Sequence, residues 1–207
     1  MFITFEGIDG CGKTTQIKLL AEYLDQKGIK NVMLREPGGV KISEEIRTLL
    51  LDAHEKIEPI TELMLFSAAR AQLVETLLKP KLAAGISVLC DRFYDSTTAY
   101  QGFGRGLDVA MIDNINKAAT GGLEPDLTIF LDISVAESKN RTCRQIADRI
   151  EQSGDNFFER VRAGFIALSE KYPNRVKRIN VEGEDVESVR NQIVVVVNKY
   201  LCEHANA

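Results

Sequence analysis

A glycine-rich stretch near the N-terminus has the residue types and spacing of a phosphate-binding loop. Residues 7 to 14 read GIDGCGKT, so Gly7, Gly12, Lys13 and Thr14 fit the P-loop pattern G-x-x-x-x-G-K-[ST]. Glycines let backbone N–H groups turn inward around an anion, and the helix that follows directs the positive end of its dipole there. Lys13 would reach the β and γ phosphates of a nucleotide, and the Thr14 hydroxyl would bind Mg²⁺. A plain glycine turn that opens a helix is the alternative, which the apolar run before the motif and the helical period after it disfavour.

Two further charged groups stand where predicted strands end. They are the stretch 35–39, REPGG, and the stretch 91–93, DRF. Ligands of open parallel sheets bind at the carboxyl ends of the strands, so these groups are expected beside the P-loop. Asp91 would hold Mg²⁺ or its water shell, and Arg35 and Arg92 would clamp phosphate oxygens. Taken singly, each arginine would more often be a solvated surface residue and Asp91 a helix cap; their joint placement favours the site.

The elements that must position these residues alternate between apolar strands and helical periods. This order predicts a parallel α/β sheet. Two helices are also predicted, one over Thr61–Leu82, broken by Pro80, and one over Val186–Leu201 with Ile193–Val197 in the core. The predicted strands are Met1–Phe5, Asn31–Leu34, Ile86–Cys90, Leu127–Asp132 and Val176–Val181.

Length and composition predict a single domain spanning residues 1–207, with 44% hydrophobic residues. The charged segment 141–154, RTCRQIADRIEQSG, looks like a lid. A net charge of −4 argues against sequence-independent DNA binding. The scattered cysteines suggest neither a zinc site nor a disulfide framework. Because there is no long apolar run and no basic secretory leader, we expect a cytoplasmic protein that interacts with neither nucleic acid nor a membrane.

Together these motifs resemble the thymidylate kinases, a branch of the nucleoside monophosphate kinases. The matching stretches are FEGIDGCGKTT, REPGG, FSAARAQLVE, DRFYDSTTAYQG, GLEPDLTIFLD and DRIEQ, which extend to about residue 160. The resemblance implies a three-layer α/β/α P-loop kinase fold with a five-stranded parallel sheet and a lid. It also implies a homodimer that transfers the γ-phosphoryl group of ATP, with Mg²⁺, to dTMP. For the dimer contact the apolar faces around Leu63, Leu73 and Leu77 are candidates, with the core of the chain as their alternative location.

The resemblance also assigns residues to the two substrates. Arg70 has only donors, which suits O4 of thymine and opposes the amine of cytosine, and Phe66, one helical turn earlier, would stack on the base. The residues assigned to dTMP are Asp9 (sugar 3′-hydroxyl), Thr97 and Gln101 (base N3 and O2 edge), Tyr100 (sugar C2′), and, around the phosphate, Arg35, Glu36, Pro37, Arg47 and Arg92. Those assigned to ATP are Gly7, Ile8, Asp9, Gly10, Cys11, Gly12, Lys13, Thr14 and Thr15, with Thr14 and Asp91 at the metal. Without the resemblance, Phe66 reads as a core aromatic, Thr97 and Gln101 as helix-surface polar residues, and Asp9 as a turn residue.

Phosphoryl transfer needs positive charge at the transferring group and no base. One class of the family places an arginine inside the P-loop, but Gly10 and Cys11 occupy that place here. The chain therefore resembles the class with a lid arginine, for which Arg144 is the first candidate, Arg149 the second and Arg141 the third. For each of them, a solvated lid charge or a helical ion pair has nearly equal weight. The predicted catalytic residues are Lys13, Arg92, Arg144 and Arg149.

Three other functions share part of this pattern. Another monophosphate or deoxynucleoside kinase would share the P-loop and the lid, but not Arg70 together with REPGG and TTAYQG. A GTPase switch would need the guanine-reading N-K-x-D element, whereas Asn198 and Lys199 are followed by Tyr200 and Leu201. A nucleic-acid motor would need a longer chain and a basic track.

Overall fold

Five parallel strands form the central sheet of the chain. The structure is a computed structural model that describes residues 1–52, 54, 56–142 and 148–204. The strand order is β2-β3-β1-β4-β5, and every pairing is parallel. This confirms the predicted α/β fold, and each strand boundary lies within one residue of its prediction. The strands are β1 (Phe2–Glu6), β2 (Asn31–Arg35), β3 (Ser87–Asp91), β4 (Leu127–Asp132) and β5 (Val176–Asn180).

Helices cover both faces of this sheet. Successive side chains of a strand point to opposite faces, so Ile3 of β1 packs in a core with Ile17 and Ile193, whereas Phe2 packs with Val74 in a second core. The α-helices are α1 (Lys13–Gln26), α2 (Lys41–Leu51), α3 (Pro59–Leu73), α4 (Lys79–Ala83), α5 (Tyr94–Thr97), α6 (Val109–Thr120), α7 (Val135–Thr142), α8 (Asp155–Lys171) and α9 (Val186–His204). Shorter turns are the π-helical segments Val74–Leu78 and Thr98–Gly104 and the 3₁₀ turn Glu151–Ser153.

The long helical segment differs from its prediction. The helix does not break at Pro80; it passes from α3 through the π-helical segment Val74–Leu78 into α4. Pro80 lies in the first turn of α4, where the missing N–H donor is tolerated. The second π-helical segment, Thr98–Gly104, carries residues assigned to the substrate, as such segments often do.

The structure decides the location of two apolar residues that the sequence left open, and it corrects that of a third. Leu63 and Leu73 are fully buried within the chain, so they are not available to a partner. Val195, in the run assigned to the core, is 68% exposed, because only Ile193 and Val197 of that run lie on the buried face of α9. Within the described ranges, none of the helices has the length and apolar character needed to cross a membrane.

Candidate active site

The predicted phosphate loop follows β1 and ends where α1 begins. Gly7, Gly10 and Gly12 all have positive φ angles, of 137°, 75° and 94°. At Gly7 a Cβ would come within 2.5 Å of the Leu131 carbonyl oxygen, so only glycine fits there. The Lys13 Nζ, buried beneath the loop, donates to the carbonyl oxygens of Gly7 at 3.0 Å and Ile8 at 3.2 Å. The glycines therefore set the shape of this loop, and the Lys13 ammonium group lies beneath it.

Two oxygen-bearing side chains meet beside this loop. Thr14, in the first turn of α1, donates from Oγ1 to Asp91 Oδ2 at 3.2 Å. Asp91 is the last residue of β3, which pairs with β1 at Phe5, so the sheet register brings the two motifs together. Hydroxyl and carboxylate oxygens are the ligand types that Mg²⁺ prefers. The pair therefore fits the metal that the sequence predicted for it.

Arg92 is held by a dense set of acceptors. It is the one residue other than glycine, within the ranges the structure describes, with a positive φ, at 68°. Its guanidinium donates to Asp9 Oδ1 at 2.7 Å, to the Gly7 carbonyl at 2.9 Å and to Ser96 Oγ at 3.2 Å. Burial alone would raise the pKa of Asp9, but the charges of Arg92 and Lys13 lower it below its usual value. Asp9 is therefore a carboxylate, and Arg92 is fixed over the loop.

Two adjoining cavities open around these groups. We call them the loop cavity, which surrounds the P-loop, and the inner cavity, which encloses about 630 Å³, part of it open to solvent. Predicted residues in the loop cavity are Asp9, Gly10, Gly12, Lys13, Thr14, Thr15, Arg35, Glu36, Arg47, Asp91, Arg92 and Arg141. Those in the inner cavity are Asp9, Glu36, Pro37, Arg47, Phe66, Arg70, Arg92, Thr97, Tyr100 and Gln101. The cavities share Asp9, Glu36, Arg47 and Arg92.

The inner end of the site contains a buried ion pair. Arg70 donates from Nε to Glu36 Oε2 at 2.7 Å and from Nη1 to Asn116 Oδ1 at 3.3 Å, and both ion-pair partners are almost fully buried. Burial raises the pKa of Glu36 to about 7, although the Arg70 charge opposes this rise. The other carboxylate oxygen of Glu36 is buried without a hydrogen-bond partner in the described structure. Arg70 thus reaches the cavity with part of its donor set already committed.

Known proteins resemble this chain over nearly its whole length. The family model described as thymidylate kinase matches residues 5–193. The chain belongs to the thymidylate kinase family. Membership gives it the activity of that family, the phosphorylation of dTMP, and confirms the resemblance seen in the sequence.

Individual thymidylate kinases show how close the similarity is. One from Thermoanaerobacter sp. (strain X514) is 45% identical over 201 residues, covering 97% of this chain and 98% of its own. One from Prosthecochloris aestuarii is 48% identical over 190 residues, covering 87% of this chain and 85% of its own. The crystal structure of thymidylate kinase from Ehrlichia chaffeensis superposes with a TM-score of 0.80 at 37% identity, covering 95% of this chain and 98% of that one.

The lid arginines of this thymidylate kinase family member have different surroundings. Arg144 lies outside the described residues. Arg141 lines the loop cavity, where it pairs with Glu137 at 2.9 Å and donates to the Val181 carbonyl at 3.3 Å. Arg149 does not line that cavity; it pairs with buried Glu62 at 2.7 Å and donates to the Leu50 carbonyl at 2.8 Å. In this structure Arg149 is therefore anchored to α3 and to the end of α2, and its role at the transferring phosphoryl group stays a prediction.

The remaining predicted residues lie at the edges of the site. Arg35 is half exposed and pairs with Glu44 at 3.1 Å, at the open side of the loop cavity. Arg47 donates to the Pro37 carbonyl at 3.0 Å, which holds it against the REPGG turn. Ile8 and Cys11 are buried within the loop, and together with Gly7 they shape it without lining either cavity.

Several residues of the site were not predicted from the sequence. Glu6, at the end of β1, accepts from the Phe93 N–H at 2.8 Å and from Ser96 Oγ at 2.5 Å, and Ser96 Oγ also contacts Arg92. Burial raises the pKa of Glu6 to about 8, and the nearby Asp95 charge adds to this rise. Glu62 accepts hydrogen bonds from Gln101 and Arg105 and forms an ion pair with Arg149. Charged residues inside otherwise apolar stretches, FITFE and ELMLF, were the available signal for both.

Proposed function

We propose that the inner cavity binds dTMP, that the loop cavity binds the phosphates of ATP, and that the γ-phosphoryl group passes between them. One observation carries this proposal: the two cavities share Asp9, Arg47 and Arg92. An oxygen of the dTMP phosphate attacks the γ-phosphorus, the bond to the bridging oxygen breaks, and ADP leaves with that oxygen. Arg92 and Arg47 hold the acceptor phosphate at the boundary, so that both substrates are aligned for transfer.

The base is proposed to lie at the inner end of the cavity. Arg70 donates to O4 of thymine, while Glu36 fixes its guanidinium from the other side. Phe66, half-buried and one turn before Arg70 on α3, stacks on the base. Thr97 and Gln101 bind the N3 and O2 edge, Tyr100 lies against the sugar, and Asp9 binds its 3′-hydroxyl. The support for these roles is that all of these side chains line the cavity.

The phosphate end is proposed to work through Lys13, a lid arginine and Mg²⁺. Thr14 and Asp91 would hold the ion, and their oxygen donors and their 3.2 Å contact support that assignment. When bound, Mg²⁺ neutralises charge on the β and γ phosphates. Lys13 adds charge from beneath the loop. For the lid segment 141–154 we keep Arg144 as the proposed source of charge; of the other two candidates, Arg141 lines the loop cavity and Arg149 does not.

The dimer is proposed to use one apolar face of α2 and α3. Four large apolar side chains there are 42–51% exposed: Ile42, Leu49, Ile60 and Met64. Burial of such side chains is the usual driving force of association. This face replaces Leu63 and Leu73 as the proposed contact. A cytoplasmic location stays a prediction of the sequence.

The proposed substrates are tested by an ADP-release assay with ATP and Mg²⁺. The acceptors are dTMP, dUMP, dCMP, dGMP, thymidine and a blank without acceptor. We expect the highest kcat/KM with dTMP, because only thymine and uracil offer O4 and an N3–H donor, and only thymine has the methyl group. A higher value with dCMP or dGMP would contradict the base site, and equal ADP release without acceptor would contradict the transfer itself.

A further inference from the structure

Glu62 on α3 is a buried carboxylate with an unusually complete set of donors. Its side chain is 1% exposed. Gln101 donates from Nε2 to Oε1 at 2.8 Å, and Arg105 donates from Nε to Oε1 and from Nη2 to Oε2, both at 3.1 Å. Arg149 pairs with Oε2 at 2.7 Å. Both oxygens of Glu62 therefore receive donors, and one of these donors belongs to a residue of the inner cavity.

The two arginines keep Glu62 ionised. Burial alone would raise its pKa, but the hydrogen bonds from Arg105 and Gln101 and the Arg105 charge lower the pKa below its usual value. An ionised carboxylate only accepts hydrogen bonds. Glu62 thus offers Gln101 acceptors and no donor.

This constrains which end of the Gln101 amide faces the ligand. The amide has a nitrogen that donates and an oxygen that accepts. If the amide were reversed, its oxygen would stand against the carboxylate of Glu62, and two acceptors would repel each other. With one N–H of the nitrogen donating to Glu62, the orientation of the amide is fixed, and the carbonyl oxygen, together with the second N–H, is left for the cavity that Gln101 lines.

An acceptor at this place distinguishes pyrimidines. Thymine and uracil carry an N3–H donor, whereas N3 of cytosine is an acceptor. A carbonyl oxygen facing N3 therefore binds the first two bases and repels the third. A free amide would simply rotate and donate to cytosine, so selectivity depends on holding it.

We propose that Glu62 is a specificity-determining positioning residue, which fixes the Gln101 carbonyl oxygen toward the base and so selects acceptors with an N3–H donor. This inference rests on the proposed placement of dTMP in the inner cavity. Arg105 and Arg149 act through Glu62 by keeping it charged and in place. Glu62 does not touch the substrate.

The test is the Glu62→Gln variant, whose amide both donates and accepts and so no longer fixes Gln101. We expect the ratio of kcat/KM for dTMP over dCMP to fall about tenfold, the size of one hydrogen bond. The ratio for dTMP over dUMP should stay within twofold of the unsubstituted enzyme, because both bases carry N3–H. The KM for ATP should not change. General damage to the fold would not lower the dTMP over dCMP ratio while leaving the dTMP over dUMP ratio unchanged.

A double-variant cycle tests whether the effect passes through Gln101. The Gln101→Ala variant should lose the same dTMP over dCMP preference, and adding Glu62→Gln to it should lower that preference no further. A matched control is Asp132→Asn. Asp132 is another buried carboxylate that forms ion pairs with two arginines, Arg162 and Arg178, and it lines neither cavity. It should lose stability and keep the preference.

Two results would overturn the inference. One is a folded Glu62→Gln enzyme whose dTMP over dCMP ratio is within twofold of the unsubstituted enzyme, and the other is a further tenfold loss in the double variant. If Glu62→Gln does not fold, Glu62→Asp keeps the charge for the arginines but withdraws the oxygen from Gln101, and an unchanged ratio there contradicts the inference equally. If the unsubstituted enzyme does not prefer dTMP, the proposed function has failed instead.

Discussion

The two cavities of the site are built from different parts of the chain. The loop cavity is shaped by backbone, with positive φ at Gly10 and Gly12 and with Lys13 held by carbonyl oxygens. The inner cavity is shaped by side chains that buried carboxylates hold in place, Arg70 by Glu36 and Gln101 by Glu62. The shape of the loop cavity thus depends on the spacing of glycines, and that of the inner cavity depends on buried carboxylates that hold its side chains.

The difference follows from what each cavity binds. Phosphate oxygens are all acceptors, so a phosphate site needs positive charge and backbone N–H groups and tolerates small rotations of the ligand. A base edge alternates donors and acceptors, so a base site needs side chains whose hydrogen-bond direction is fixed. Substitutions in the loop cavity should therefore lower the rate of transfer, and substitutions in the inner cavity should change the choice of acceptor.

The largest expected effect is that of Lys13→Ala in the loop cavity. Removing the cation beneath the loop should lower kcat by more than about a thousandfold, because its charge serves the transferring phosphoryl group. The KM for dTMP should change by less than about threefold. Steady-state kinetics with dTMP varied at saturating ATP measures both. A large rise in the KM for dTMP with little loss of kcat would show that Lys13 serves binding of dTMP and not phosphoryl transfer.

The lid arginines should show the next largest effect. Arg144→Ala is expected to lower kcat by up to about a thousandfold. Arg149→Ala should lower kcat by about tenfold or less, because Arg149 is paired with Glu62. Single-turnover rates of both variants with dTMP give the comparison. Normal turnover of Arg144→Ala together with a large loss in Arg149→Ala would reverse the assignment.

In the inner cavity, Arg70→Ala should act on selectivity. The dTMP over dCMP ratio of kcat/KM is expected to fall about a hundredfold, because the donor to O4 is lost and Glu36 is left buried without its partner. Competition between the two acceptors in one reaction measures the ratio directly. Arg70→Lys keeps a charge without the planar guanidinium and serves as the matched variant. An unchanged ratio in Arg70→Ala would remove Arg70 from the base site.

The last prediction concerns the free energy of unfolding and its pH dependence through Glu6, which accepts from Ser96, itself a hydrogen-bond partner of Arg92. Burial raises the pKa of Glu6 from 4.5 to about 8, so the folded state binds its proton more tightly than the unfolded state does. The stability from this group is complete below pH 4.5 and is lost as the pH rises through 8.

The Glu6→Gln variant does not titrate at this position. The free energy of unfolding of the unsubstituted protein, relative to that of Glu6→Gln, should therefore fall as the pH is raised from about 5 to about 8. Urea unfolding of both proteins across this range measures the difference. A constant difference would show that Glu6 has an ordinary pKa in the folded protein.

The sequence alone was sufficient to predict the residues of the loop cavity and the strands of the sheet. Glycine spacing, a lysine and a strand before them are local signals, so Gly7 to Thr15 and the strand ends at Arg35 and Asp91 could be assigned directly. The resemblance to thymidylate kinases supplied the inner cavity residues, of which Arg70 and Gln101 do line it. These roles rest on a family pattern and stay predictions until the variants are measured.

The missing parts depend on contacts between distant segments. Glu62 and Gln101 are 39 residues apart, and Glu6 and Ser96 are 90 apart, so no local spacing indicates either pair. Val195 is exposed because a different face of α9 packs against the core. The uninterrupted apolar run does not indicate which face that is. The ion pair of Arg149 with Glu62 of α3 likewise joins distant segments and has no local signal.

The position of β1 in the middle of the sheet has a consequence for synthesis of the chain. β1 is translated first, yet its neighbours begin to pair with it at Val88 and Leu127. At roughly 5–20 residues per second, Phe2 waits about 4 s or more for β3 and longer for β4. During this interval a strand that is buried at every residue in the folded enzyme has no partner and is exposed to aggregation. An N-terminal fragment that stops before β4 leaves one edge of β1 unpaired, so the ribosome must pass residue 132 before the P-loop strand is enclosed on both sides.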